Sequence, residues 1–181
     1  MLLQKSIEYW HLNVRELLKG LLGSAVLFLS AQVTVPLIPV PLTLQTMAVL
    51  FIASLGAEQG TLAVLLYLLE GMFGLPVFAG LSFGIHEILG PTGGYLLGFI
   101  PAVYLSGTLL QKSHAKGFMA VFFAGLVGIS IVLICGYLRL ACFVGFSKAY
   151  ILGIAPFFLT ELLKLLVFSL LTVNKLEHDI P

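Results

Sequence analysis

The sequence predicts an all-α integral membrane protein, a bundle of six transmembrane helices in one domain. Three observations carry that prediction. Of the 181 residues, 60% are hydrophobic and 9% charged, with a mean hydropathy of +1.11, where a soluble chain runs near ~45–50% apolar and ~25% charged. The apolar residues fall in runs broken only where proline, glycine or charge accumulates. A helix needs about 20 apolar residues to cross the hydrocarbon core, so a chain of this length holds about six spans with their loops.

The elements follow in order. Leu3, Ile7, Trp10, Val14 and Leu17 recur at three- and four-residue steps, which reads residues 1–16 as an amphipathic lead-in lying on the membrane surface. Lys5, Arg15 and Lys19 precede the apolar run 21–30, as in a signal peptide. Hydrophobicity resumes after Gln32 and Thr34, so the expected element is an uncleaved first span. Spans are expected near 17–35, 42–56, 59–73, 94–111, 118–138 and 149–173. The membrane domain is then 17–173, and 174–181 a short cytoplasmic tail. Lys5, Arg15, Lys19, Lys112, Lys116 and Lys175 fall on the side of the termini and only Arg139 and Lys148 on the other. The positive-inside rule therefore places both termini in the cytoplasm, and the membrane expected is the cytoplasmic (inner) one.

Several functions are excluded by the same composition. A net charge of +1, nine basic against eight acidic residues, supplies no field for nucleic-acid phosphates. No Gly-Lys dipeptide occurs, so the phosphate-binding loop is absent and the chain has no ATP site. Uphill transport with ATP would need another chain to hydrolyse it. Cys135 and Cys142, the only cysteines, are too few for a zinc spacing and are expected as buried, reduced, structural thiols. No cofactor or metal is expected.

Two outer loops look unlike connectors. Pro36, Pro39 and Pro41 forbid helix, and Thr43, Gln45 and Thr46 follow at once on the opening turn of span two. The second loop, 71–94, is mostly apolar yet rich in glycine. Non-helical backbone of that kind must fold back into the bundle or line a cavity. At its end Thr92 is placed to cap span four, while Gly93 and Gly94 either admit a bound group to the N–H groups of the first turn or serve close packing. Both readings stand.

Glu161 and Lys164 lie in the middle of span six, each costing about 2.5–3.5 kcal/mol at a helix centre. Three residues apart, they share a face with Phe157 and Phe168, an inward stripe with a hinge at Pro156. They are either a structural ion pair or the polar anchor of a ligand. Glu70 is a third polar group of that site or an interfacial carboxylate. His86 and Glu87 do not make a zinc-protease motif, because Gly90 stands where the second histidine would be. Gly80-Leu-Ser82-Phe-Gly84 has the nucleophile-elbow spelling without the α/β sheet the motif needs. An intramembrane serine protease using Ser82, with His86 as the base, is the enzyme alternative to the expected non-enzyme.

Four segments in order resemble one family, BioY, the substrate-binding S component of energy-coupling-factor (ECF) vitamin transporters. They are Val40-Pro-Leu-Thr-Leu-Gln-Thr, Tyr67-Leu-Leu-Glu-Gly-Met-Phe-Gly-Leu-Pro-Val-Phe-Ala, Gly90-Pro-Thr-Gly-Gly-Tyr-Leu-Leu-Gly-Phe, and Pro156-Phe onward through Glu161 and Lys164. The resemblance spans about residues 20–172. It implies a six-helix bundle of the ECF S-component type with membrane-embedded outer loops, high-affinity biotin uptake, a transmembrane coupling subunit and two cytoplasmic ATPases as partners, and biotin as substrate rather than cofactor. For the site it implies Glu161 accepting from a ureido N–H or orienting Lys164, Lys164 meeting an oxygen of the vitamin, Gln45 and Thr43 adding donors, and Tyr67, Phe78, Tyr95 and Phe157 as walls, beside the Gly93 and Gly94 turn. An S component for another vitamin, or a biotin transporter acting without an energy module, are the alternatives. The chain departs from the family pattern at Glu161, more often Asp, at Glu70, where an apolar residue is expected, and in the first helix. There the nearest substitute for an Ala-x-x-x-Ala contact patch is Gly20 with Ser24.

Overall fold

Small residues at helical spacing decide how the first helix sits. In the computed structural model, which describes residues 14–112 and 117–178, α1 (Val14–Gln32) buries Gly20, Gly23, Ser24, Leu27 and Ala31. That stripe lies against α3 (Ala57–Met72), close enough that a Cβ on Gly23 would stand 2.6 Å from the Cβ of Ala63. Small side chains let helix backbones approach in this way. Ser24 donates a short hydrogen bond to the Glu70 carboxylate across the same seam. Gly20 and Ser24 are therefore engaged inside the chain. Most of the expected lead-in falls outside the described residues.

After α1 the prolines act as expected. The chain forms a small antiparallel hairpin, β1 (Thr34–Val35) with β2 (Leu42–Thr43), in which Thr34 faces Thr43 and Val35 faces Leu42. Helix can resume only past Pro41, and α2 (Gln45–Ala53) is nine residues long. At 1.5 Å per residue it is about 14 Å long, less than half the hydrocarbon thickness. The second expected span, 42–56, is thus a short helix under a hairpin. Six of its residues, Gln45, Ala48, Val49, Leu50, Ile52 and Ala53, are buried, and it touches α1, α3 and three later helices. A helix apolar on all sides belongs at the centre of a bundle.

The second outer segment folds into a 3₁₀ turn (Ala79–Leu81) and a short helix, α4 (Ile85–Leu89). The long helices α5 (Gly93–Lys112) and α6 (Phe118–Val144) form the most extensive pairing in the bundle. The sixth expected span, 149–173, is two helices, α7 (Phe146–Gly153) and α8 (Ala155–His178). The break sits at Ile154 (φ −120°, ψ −52°), two residues before the expected hinge, because Pro156 has no N–H and belongs in a first turn. The Tyr95 hydroxyl donates to the Gly153 carbonyl at that break, 2.8 Å. α8 continues through the expected tail to His178.

Among the described residues, Gly93–Lys112, Phe118–Val144 and Ala155–Asn174 are helices long and apolar enough to cross a membrane. Against expectation the two cysteines are not both buried: Cys135 is half-buried and Cys142 exposed on the outside of the bundle, both as free thiols.

Candidate functional site

The hairpin, the second outer segment and helices α2, α5, α6 and α8 enclose a cavity of about 230 Å³. Val40, Thr43, Gln45 and Thr46 line it from the first loop and α2. Phe78, Ser82, Glu87 and Thr92 come from the second segment, and Tyr95, Leu96, Phe99, Val132, Leu133, Phe157 and Glu161 from the long helices. Its character is apolar with few polar atoms, the usual composition of a small-molecule site.

Glu161 and Lys164, 3% and 7% exposed, form an ion pair of 2.6 Å along α8. The Lys164 ammonium also donates to the Thr43 carbonyl at 2.7 Å and to the Thr46 hydroxyl at 2.9 Å. A lysine has three N–H donors, and all three are engaged. Lys164 is not part of the cavity lining and lies directly behind Glu161, which is. Its role is to hold Glu161 and the hairpin's end together. Glu161 does line the cavity, and its second carboxylate oxygen, Oε2, is buried with no hydrogen-bond partner among the described residues. A buried carboxylate oxygen without a donor is costly, so this wall of the cavity suits a ligand that brings N–H or O–H groups.

Gln45, the first residue of α2, is buried and oriented from both ends of its amide. Nε2 donates to the Tyr67 hydroxyl at 2.8 Å, and Oε1 accepts from the Thr43 hydroxyl at 3.1 Å. The Tyr67 hydroxyl in turn donates to the Val77 carbonyl at 3.2 Å. It therefore backs Gln45 and is not among the cavity-lining residues. Tyr95 and Phe157 stack with ring centroids 5.9 Å apart, and Phe78 stands edge-on to Tyr67 at 5.4 Å. The structure thus brings Thr43, Gln45, Phe78, Tyr95, Phe157 and Glu161 to one cavity.

Gly93 and Gly94 lie elsewhere. Both are buried, and a Cβ on either would collide with backbone, the Ile88 carbonyl for Gly93 and the Cys135 carbonyl for Gly94. The Gly93 N–H is already bonded to the Gly90 carbonyl at 3.2 Å. Packing is the reading the geometry favours for both. The Thr92 hydroxyl donates back to the Glu87 carbonyl at 3.3 Å, and its backbone carbonyl accepts the Tyr95 and Leu96 N–H groups at 3.0 and 3.4 Å. Gly93→Ala should lower ligand-free stability by about 1–3 kcal/mol, the usual cost of overpacking, read as a drop in the thermal midpoint. An unchanged midpoint would return Gly93 to the anion-site reading.

Glu70 pairs with Ser24 and does not line the cavity. Ser82 lines it, but the His86 ring lies 73% exposed, 3.8 Å from Glu87, and no described hydrogen bond joins it to Ser82. Arg139 holds the second segment from α6. Its guanidinium donates to the carbonyls of Leu89 and, at 3.4 Å, Gly90, and lies 5.1 Å above the Phe143 ring. Sequence reasoning named neither Thr46 nor Glu87 as ligand-facing, though Thr46 belongs to the polar cluster it flagged. Val132 and Leu133 carry no signal at all, being two apolar residues within a 27-residue apolar helix.

Comparison with known proteins agrees with this architecture. The BioY family model matches residues 4–178. The biotin transporter BioY of Thermotoga maritima is 39% identical over 170 residues, 92% of this chain and 99% of the relative. The biotin transporter BioY2 of Lactococcus lactis is 38% identical over 163 residues, 87% and 89% of the two chains. A probable biotin transporter BioY of Pyrococcus horikoshii is 42% identical over 135 residues, 74% and 79%. Among solved structures, the S-component for biotin from an ECF-type ABC transporter superposes with a TM-score of 0.79, covering 91% of this chain and 92% of that one at 23% identity. That likeness is one of fold.

Proposed function

Because the chain belongs to the BioY family, we propose that it captures biotin for uptake across the cytoplasmic membrane, as the substrate-binding subunit of an ECF-type transporter. Members of this family are transporter components, so the chain is not an enzyme and biotin is cargo, not cofactor. The observation that carries the ligand assignment is the buried, partnerless Oε2 of Glu161 at the cavity wall. A ureido group has two N–H donors and one carbonyl. One donor meets Glu161, and the Thr43 and Gln45 cluster, with its remaining amide hydrogen, serves the other polar atoms. The fused apolar bicycle lies between Phe78 and the stacked Tyr95 and Phe157. The acid tail then runs toward the second outer segment, where Ser82 and Thr92 supply hydroxyls.

On this reading the shorter helices, the hairpin and α4 complete six crossings with both termini in the cytoplasm, and the outer loops close the site. A transmembrane coupling subunit and two ATPases supply the energy, since the sequence has no nucleotide loop. The small-residue face of α1 is taken up by α3, so the coupling subunit meets a different face from the Gly20 and Ser24 stripe.

Purified protein should bind radiolabelled biotin, and unlabelled biotin should displace it while excess thiamin or riboflavin does not. Displacement by either competitor, or no biotin binding, would sink the assignment and favour another vitamin. Uptake in cells should fall when the ATPase genes are deleted. Unchanged uptake would favour a transporter acting without an energy module.

A further inference from the structure

We infer that Gln32, the last residue of α1, is the positioning residue of the cavity's loop wall and sets how long a ligand stays bound without touching it. The inference rests on the biotin reading for its ligand, though not for its geometry.

Gln32 is absent from the cavity lining, yet both ends of its side-chain amide read the loop that is part of it. Nε2 reaches the Phe78 carbonyl at 3.1 Å and the Val77 carbonyl at 3.4 Å, besides the Phe28 carbonyl of its own helix at 3.3 Å. Oε1 accepts the Leu81 N–H at 3.2 Å. Donor and acceptor are both in use, so the amide cannot be flipped without losing contacts at both ends.

The loop it holds is backbone that would not keep this shape alone. Gly80 and Leu81 have φ of +67° and +60°, and a positive φ at leucine is sterically disfavoured and persists only where surroundings over-determine it. The left-handed turn presents the Leu81 N–H to Gln32. The Phe78 N–H closes the loop on the Ser82 carbonyl at 3.0 Å. On the α3 side, Phe78 fills the notch left by Gly71, and Tyr67 holds Val77. On the α1 side, the side chain described at the loop's backbone is Gln32. Phe78, Ala79 and Ser82 face the cavity, so a loop released from α1 opens one wall of the site.

Two measurements on the full-length protein decide this. In the ligand-free protein, Gln32→Leu should speed hydrogen exchange of the Leu81 amide about tenfold, the worth of a hydrogen bond, with exchange in the α6 core unchanged. It should also raise the dissociation rate of biotin from the folded protein about tenfold or more, with the association rate little changed, which a merely structural role, lowering only the amount of folded protein, would not produce. Gln32→Glu keeps the acceptor for Leu81 and sets an oxygen against the Val77 and Phe78 carbonyls. It should speed dissociation too, and it carries the test if the leucine variant fails to fold. Unchanged exchange at Leu81 overturns the inference, and so does faster exchange with a wild-type dissociation rate. If the wild type binds no biotin, the ligand assignment fails on its own, and the exchange measurement still decides whether Gln32 holds the loop.

Discussion

Glu161→Gln should weaken biotin binding by about 10- to 150-fold, with the protein still folded. The substitution keeps the shape of the side chain. Its one carbonyl oxygen goes to the Lys164 ammonium, 2.6 Å from Oε1 in the native protein. That leaves an NH₂ group in place of the buried, partnerless Oε2, so on the proposed binding mode a donor meets the donors of the ureido ring. Losing a charged hydrogen-bond partner costs ~1.5–3 kcal/mol, which converts to the stated range. Calorimetric titration of variant against wild type reads it directly. An unaltered dissociation constant would assign Glu161 to the ion pair alone.

The second large effect belongs to Lys164 and is chiefly one of stability. Lys164→Ala leaves the Glu161 charge buried and unpaired and strips the Thr43 carbonyl and the Thr46 hydroxyl of their donor. Breaking a buried pair at one end costs ~3–5 kcal/mol, visible as a large fall in the thermal midpoint. The double variant Glu161→Gln with Lys164→Met has no buried charge and should regain most of that stability. It should not regain biotin affinity. Recovery of binding in the double variant would show that the carboxylate is not what the ligand needs.

Much of this site was legible because charge is scarce. In a chain 9% charged, an acid and a base three residues apart inside an apolar run have few possible uses, and the structure pairs them. The three prolines at 36, 39 and 41 were equally direct, since they mark where helix cannot form, although the helix resumes at Gln45 and not at the expected 42. Hydrophobicity alone could not give the lengths. A run of apolar residues reads the same whether it crosses the bilayer or is swallowed by its neighbours, so 42–56 looked like a span although α2 is nine residues long. It also could not separate a residue facing the ligand from one supporting it. Tyr67 and Lys164 carry the right chemistry but lie one layer behind the cavity lining, bonded to Gln45 and Glu161. Gly93 and Gly94 read equally well as an anion cradle or as packing, and only the position of the Ile88 and Cys135 carbonyls favours one. Val132 and Leu133 differ in nothing from the apolar residues around them except that one face of α6 happens to meet the cavity.

Lys164 ties α8 to backbone and side chain 121 and 118 positions earlier in the chain. A ribosome delivers the two sides of that contact more than a hundred residues apart. Until the final helix has left the exit tunnel and entered the bilayer, the hairpin's end has no cation to gather it and the cavity lacks the wall bearing Glu161 and Phe157. A nascent chain stalled before α8 therefore has its cavity open on that side, however completely its earlier helices have inserted.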